Sequence, residues 1–205
     1  MEALELLWES RCAGCKAART GALCPPCRVH LSLRWAPHRV VGARGAVAVA
    51  AYRTPIGTAL RKAKYGGDRS AMSILARVLG PAADPWLAGG PFDVVVPAPS
   101  PWTRRIARGY SPASVLGAAV ARHTGLPLVH ALTLSVGRRN AGLSATGRRN
   151  NLTGRLRARR DVPGRVLLVD DVITTGATAS ACARELLGGT THSVWVLCLC
   201  ATGGV

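Results

Sequence analysis

Thirteen residues, Val166 to Thr178, constrain this chain more than any others. Val166-Leu167-Leu168-Val169 is an apolar run without polar alternation, so it reads as a strand covered on both faces, the condition of a central strand in a parallel sheet. Asp170 and Asp171 follow directly. In such sheets ligands sit in the crevice beyond the carboxyl ends of the strands, and two adjacent carboxylates there need hydroxyls or a hydrated cation to satisfy them. Thr174-Thr175-Gly176-Ala177-Thr178 comes next, small residues whose backbone N–H groups and hydroxyls can ring an anion at the start of a helix. The three parts together point to a phosphorylated sugar, with phosphate at the loop and sugar hydroxyls at the carboxylates. The competing reading is an ordinary strand-to-helix turn with a Thr cap, and the combination speaks against it.

The rest of the chain supplies the sheet and its helices. Composition changes near residue 40: residues 1–40 hold four clustered Cys and little periodicity, and residues 41–205 alternate strand-like and helix-like segments. Val47 to Tyr52, Phe92 to Val96, Leu128 to Leu134 and Ser193 to Leu199 read as strands. Pro55 to Lys64, Ala71 to Leu79, Ser111 to His123 and Ala177 to Leu187 read as helices, the last ended by Gly188-Gly189. Strands separated by helices imply an α/β domain with a doubly wound parallel sheet.

Cys12-x2-Cys15-x8-Cys24-x2-Cys27 offers four thiolates in two chelating pairs, the arrangement of a closed tetrahedral Zn²⁺ site. A redox pair at Cys24-Pro25-Pro26-Cys27 is the alternative. Pro26 lacks an N–H that would otherwise soften the charge on the Cys24 sulfur. His30 and His38 are substitute ligands that four Cys make unnecessary. The segment has little apolar content of its own, so its folding is expected to depend on metal. Cys182, Cys198 and Cys200 lie in apolar contexts and read as buried small hydrophobes.

Charge adds a partner class. The formal net charge is +17, from 27 basic residues against 10 acidic. Only Lys16, Lys62 and Lys64 are lysines; the others are arginines, whose planar fork suits phosphate. A polyanionic ligand or partner is the natural inference, with an Arg-favouring genome as the bland one. Arg104, Arg105 and Arg108 beside the proline-stiffened Pro97-Ala98-Pro99 are placed to neutralise a diphosphate, with a solvated basic turn as the competing reading. The stretch from Arg138 to Arg165 carries nine arginines among Gly, Asn and Thr, and reads as a lid, an arm for nucleic acid or a solvated loop. Met1 to Glu9 lacks a basic n-region, and no apolar run is long enough to cross a bilayer, so a cytoplasmic setting is expected.

Val166 to Thr178 resembles the phosphoribosyl-pyrophosphate signature of type I phosphoribosyltransferases. Three further blocks are similar to one branch, the ComF family of competence-related, phosphoribosyltransferase-like proteins: Val95 to Pro99 with Arg104-Arg105 and Arg108-Gly109-Tyr110; Asn140 to Leu143 with Arg148-Arg149-Asn150-Asn151; and Leu60 to Gly66 with the four-Cys unit. The chain departs from that family's usual Gly-Phe-Asn-Gln at Gly109-Tyr110-Ser111-Pro112, which removes amide hydrogen-bonding groups at the mouth of the site. The resemblance implies a type I phosphoribosyltransferase fold preceded by a small four-Cys zinc module. It implies that Asp170 and Asp171 contact ribose hydroxyls, that Thr174 to Thr178 hold the 5′-phosphate and that Mg²⁺ bridges the pyrophosphate. Arg104 and Arg105 would hold the diphosphate, and Lys62, Lys64, Arg148 and Arg149 would be closing or lid contacts.

Two functions remain open at this point. One is a transferase that moves the ribose 5-phosphate group from its pyrophosphate donor to an unidentified acceptor. The other is a non-catalytic binder of single-stranded DNA that works with DNA-uptake machinery through the zinc module and Arg-rich surfaces. An aromatic content of 4% argues against a broad stacking platform.

Overall fold

A computed structural model of the chain describes residues 11–17, 23–36, 39–135 and 155–203. The expectations placed on Met1 to Glu9, His38, Asn140 to Leu143, Arg148, Arg149, Asn150 and Asn151 lie outside the described residues.

Four parallel strands carry the domain: β2 (Ala43–Ala51), β3 (Val94–Pro97), β6 (Gly164–Ile173) and β7 (Thr191–Ala201). A two-residue strand β1 (Arg34–Trp35) adds to them, antiparallel to β2, and the order across the sheet is β1-β2-β7-β6-β3. The pairs β2–β7, β7–β6 and β6–β3 are all parallel. Two central strands with unbroken apolar runs are the reason: β6 and β7 bury side chains of both parities, so each needs cover on two faces.

Alternation sorts those side chains. Leu167 and Val169, with Val47, Leu197 and Leu199, pack under α2 (Pro55–Tyr65), α3 (Arg69–Leu87) and α5 (Pro112–Thr124). Val166 and Leu168, with Val194 and Val196, pack against α6 (Ala177–Leu187) and against β4 (Leu132–Leu134) and β5 (Leu156–Ala158), an antiparallel pair outside the main sheet. The sheet is thus doubly wound, as the alternation of elements predicts.

Three elements differ from expectation. The helix read as ending at Leu79 runs to Leu87 through Pro81 and Pro85. Each proline removes an intrahelical bond, but Ala83 and Leu87 are buried, and Gly80 lies so close to α5 that a Cβ there would sit 2.6 Å from the His123 ring. Tertiary packing therefore carries the helix past the breakers. The segment Leu128 to Leu134 is not one strand: Leu128 makes a single bridge to Val95, the Ala131 N–H turns back to the Val129 carbonyl, and only Leu132–Leu134 is extended. Finally, Trp102–Arg108 is a helix, α4, with no buried residue.

The cysteine segment, in which Pro25–Arg28 forms the short helix α1, is joined to this body. Cys12, Ala13, Leu23, Cys24 and Cys27 belong to the same apolar cluster as α2 and α3, and a Cβ on Gly14 would lie 3.0 Å from Pro55 at the start of α2. Lys16, whose φ is +67°, reaches Asp68 at 2.6 Å, and Asp68 caps α3 by accepting the Ala71 N–H at 2.9 Å.

Candidate functional site

The strand that ends on the two carboxylates extends further than its apolar run. Val172 and Ile173 continue β6, pairing with Cys200 and Ala201 of β7, so Asp170 and Asp171 sit within the last turns of a strand rather than after it. Strand alternation then sends their side chains apart. Asp170 lies on the α6 face, where it lines a small cavity with Thr174, Gly176, Thr178 and Cys198. Asp171 lies on the α2 face, where Lys64 Nζ approaches its carboxylate oxygens at 3.0 and 2.9 Å, both side chains being largely buried.

This separation sets the electrostatics. Burial, then the neighbouring Asp171 charge, pushes the Asp170 carboxyl up to about 7; the Asp171 N–H, donated to Asp170 Oδ1 at 2.8 Å, and Lys64 oppose this only in part. Asp170 is therefore a carboxyl poised near neutrality, and Asp171 is paired with a lysine. Lys62, the other candidate cation on α2, is exposed and makes no side-chain hydrogen bond or ion pair among the described residues.

Beyond β6 the chain turns at Thr174-Thr175 into α6. Gly176 holds φ +73° at the cap, a conformation that a Cβ disfavours. Ser180 N–H donates to the Gly176 carbonyl, while Ala177 N–H has only Thr175 Oγ1, at 3.4 Å. The first-turn donors of α6 are thus available to an anion in the cavity beside Asp170.

The Pro97-Ala98-Pro99 loop adjoins the same point. Pro97 is in register with Val169, and Ala98 N–H donates to the Val169 carbonyl at 2.8 Å. From there a cleft of about 750 Å³ opens, lined by that loop, by Arg105, Trp102 and Tyr110, and by His130 and Arg159. Arg105 therefore lines the cleft. Arg104, next to it on α4, is exposed and is not part of the lining. Arg108 stacks on the Tyr65 ring at 5.0 Å, and the Tyr110 hydroxyl donates to the Ala63 carbonyl. These two contacts dock the turn after α4 on the end of α2, beside Lys64. Trp102, His130 and Arg159 did not emerge from the sequence as cleft residues. The i, i+4 spacing of Trp102 and Ile106 was the available signal for the first.

The four cysteines converge. The sulfurs of Cys12, Cys15, Cys24 and Cys27 all lie within 4.8 Å of one another, with Cys15 and Cys24 at 3.5 Å. Four thiolates around a tetrahedral Zn²⁺ stand about 3.8 Å apart, so the set fits such an ion. Cys24 N–H donates to Cys12 Sγ at 3.4 Å. Burial raises the Cys12 thiol, but the N–H groups of Cys24, Cys15 and Gly14 outweigh it and bring the pKa to about 6. The donor missing at Pro26 is replaced by the Cys27 N–H, which lowers Cys24 against the larger upward effect of burial. Cys182, Cys198 and Cys200 are buried, and burial first of all raises each thiol, as inert packing residues require.

Fold and site together define a doubly wound α/β domain with a four-cysteine segment that could hold a metal ion. The chain is a homologue of competence protein F of Haemophilus influenzae, 34% identical over 113 residues that cover 51% of this chain and 49% of that protein. It is also a homologue of the DNA utilization protein YhgH of Escherichia coli O157:H7, 46% identical over 61 residues that cover 29% of this chain and 27% of that protein. The ComF resemblance read from the sequence is borne out by these relatives. The matched stretch spans about half the length of competence protein F and about a quarter of the DNA utilization protein. No family model matches the chain. Among solved structures it is similar to adenine phosphoribosyltransferase from Saccharomyces cerevisiae, with a TM-score of 0.39 and 14% identity, over 85% of this chain and 86% of that one. No described helix is long and apolar enough to cross a membrane.

Proposed function

We propose that the chain binds phosphoribosyl pyrophosphate together with Mg²⁺, carries a structural Zn²⁺ at Cys12, Cys15, Cys24 and Cys27, and serves the uptake or utilisation of DNA in the cytoplasm. One observation carries the ligand reading. Asp170, the Gly176-capped start of α6 and the Pro97-Ala98-Pro99 loop meet at the carboxyl end of adjacent strands, where a sugar with a phosphate at each end is the complementary shape. Thr174 to Thr178 take the 5′-phosphate, Asp170 and Asp171 take the ribose hydroxyls and the hydrated cation, and Arg105 takes the diphosphate. The reaction open to this arrangement is transfer of the ribose 5-phosphate group to an acceptor in the cleft, with the leaving diphosphate neutralised by Arg105. Lys64 acts as the closing contact, since it already holds Asp171.

Calorimetric titration of phosphoribosyl pyrophosphate with Mg²⁺ tests the reading, alongside a variant with Asp170→Asn and Asp171→Asn. Saturable binding lost in the variant supports it; no binding by the parent chain sinks it. Metal analysis of the purified protein tests the zinc assignment, which expects one ion per chain.

A second reading, binding of single-stranded DNA, is favoured by the net charge of +17 and by the names of the relatives. The two readings are compatible, because exposed arginines lie on helices of both faces, among them Arg77 on α3, Arg122 on α5 and Arg184 on α6.

A further inference from the structure

On the face of the sheet covered by α6, a second cleft of about 460 Å³ lies between the end of α6 and the residues that follow β5. Arg159, Arg160 and Arg184 line it, together with Asp161 and Glu185. The two carboxylates are already engaged by the protein. Asp161 accepts the Thr190 N–H at 2.8 Å and the Val162 N–H at 3.1 Å. Glu185 accepts the Ala158 N–H at 3.3 Å and faces Arg157 at 3.7 Å. The three lining arginines have no such engagement: all are exposed, and their guanidinium groups make no hydrogen bond or ion pair among the described residues. With Arg157, four guanidinium groups stand against two carboxylates.

Arg159 also lines the 750 Å³ cleft that holds Arg105. The two clefts therefore share a wall, and free guanidinium groups run from one to the other through Arg159. Trp102, 55% exposed, also lines the first cleft, on a helix with no buried residue. A single site for a small anion would need neither the second cleft nor an exposed indole. A flexible polyanion with planar bases needs both: guanidinium groups spaced for successive phosphates, and a ring face on which an unpaired base can stack.

We propose that single-stranded nucleic acid lies along these two clefts, its phosphates on Arg160, Arg184 and Arg159 and a base on Trp102. The track leads the strand into the cleft beside the sugar-phosphate site, and the cysteine segment, which packs on the opposite face of the sheet, is not part of it. The proposal rests on the nucleic-acid reading above and assigns it a surface.

The test is binding of a fluorescent oligodeoxythymidylate by anisotropy, over a series of salt concentrations, to the parent chain and to the double variant Arg160→Ala, Arg184→Ala. A control double variant, Arg77→Ala, Arg122→Ala, removes the same charge from exposed positions on α3 and α5 across the sheet. Each phosphate contact to a single strand contributes about 0.7 to the slope of log affinity against log salt, so loss of two lowers the slope by about 1.4. At 0.1 M salt that is about 25-fold weaker binding. The control is expected to keep the parent slope, and Trp102→Ala is expected to weaken binding with the slope unchanged. Equal losses in the two double variants would mean diffuse charge and would overturn the track while leaving nucleic-acid binding standing. A parent chain that does not bind the oligonucleotide would overturn both. Binding of phosphoribosyl pyrophosphate, measured on the same proteins, is expected to be unchanged by Arg160→Ala, Arg184→Ala.

Discussion

Replacing Asp170 by Asn should stabilise the folded chain at neutral pH and leave it unaffected in acid. The carboxyl is pushed from 3.8 to about 7 by burial and by the Asp171 charge beside it. Between those values the native state keeps a proton that the unfolded chain has released, so stability falls as pH rises, and the whole penalty is present above about pH 7. A shift of this size corresponds to about 4 kcal/mol. Asp170 keeps some access to solvent through the crevice, which reduces the figure to roughly 2 to 4 kcal/mol. Asn retains an oxygen to accept the Asp171 N–H, now 2.8 Å from Asp170 Oδ1, and carries no charge to desolvate. Urea unfolding of the two proteins at pH 4, 5, 6, 7 and 8 measures the difference directly, since all other titrating groups are shared. The curves should coincide near pH 4 and separate progressively to pH 7, reaching a difference of roughly 2 to 4 kcal/mol at pH 8. A constant difference across the pH range, or a parent chain that is more stable at pH 8 than at pH 5 relative to the variant, would refute the reasoning.

Three other outcomes follow from the same geometry. Cys27→Ser should abolish stoichiometric metal, read by metal analysis, and should also lower the melting temperature, because Cys27 is buried in the cluster under α2. Gly176→Ala has room, its Cβ lying 3.5 Å from the Arg39 carbonyl oxygen, so its cost is conformational: about 1 to 2 kcal/mol in urea unfolding, with weakened binding of phosphoribosyl pyrophosphate by calorimetry. Leu167→Ala, at a fully buried position in the central strand, should cost about 2 to 5 kcal/mol in the same unfolding assay without changing zinc content.

Much of this arrangement is legible locally. The run Val166 to Val169 announces a doubly covered strand through its lack of alternation, and the Gly176 turn announces itself through residues that few other turns need. The cysteine spacing predicts the convergence of four sulfurs, because two short chelating pairs leave little else to close. Misreadings arise where a local signal loses to packing. Pro81 and Pro85 are helix breakers that α3 overrides because its last turns bury Ala83 and Leu87. Judged on hydropathy the strand at Val166 stops at Asp170, yet β7 is as long as β6 and holds it to Ile173. The Arg-rich turn after Pro101 hides a helix because α4 buries nothing, and the single i, i+4 pair of Trp102 and Ile106 is too short a period to stand out.

Sequence alone determines the chemistry available to the chain: adjacent carboxylates, a small-residue anion loop, four thiolates and an excess of arginine. Those are matters of residue type and short spacing, and short spacing is preserved in any fold. Which of them meet is a matter of distances closed by the tertiary structure. Asp170 and Asp171, neighbours in the chain, face opposite sides of the sheet, while Lys64, more than a hundred residues away, holds one of them. Arg159 and Arg105 come to share a cleft only because β5 folds back along β4. Side-chain direction alternates along a strand, and long-range contacts depend on which helix covers which face, so neither is recoverable from the order of residues until the sheet is assembled.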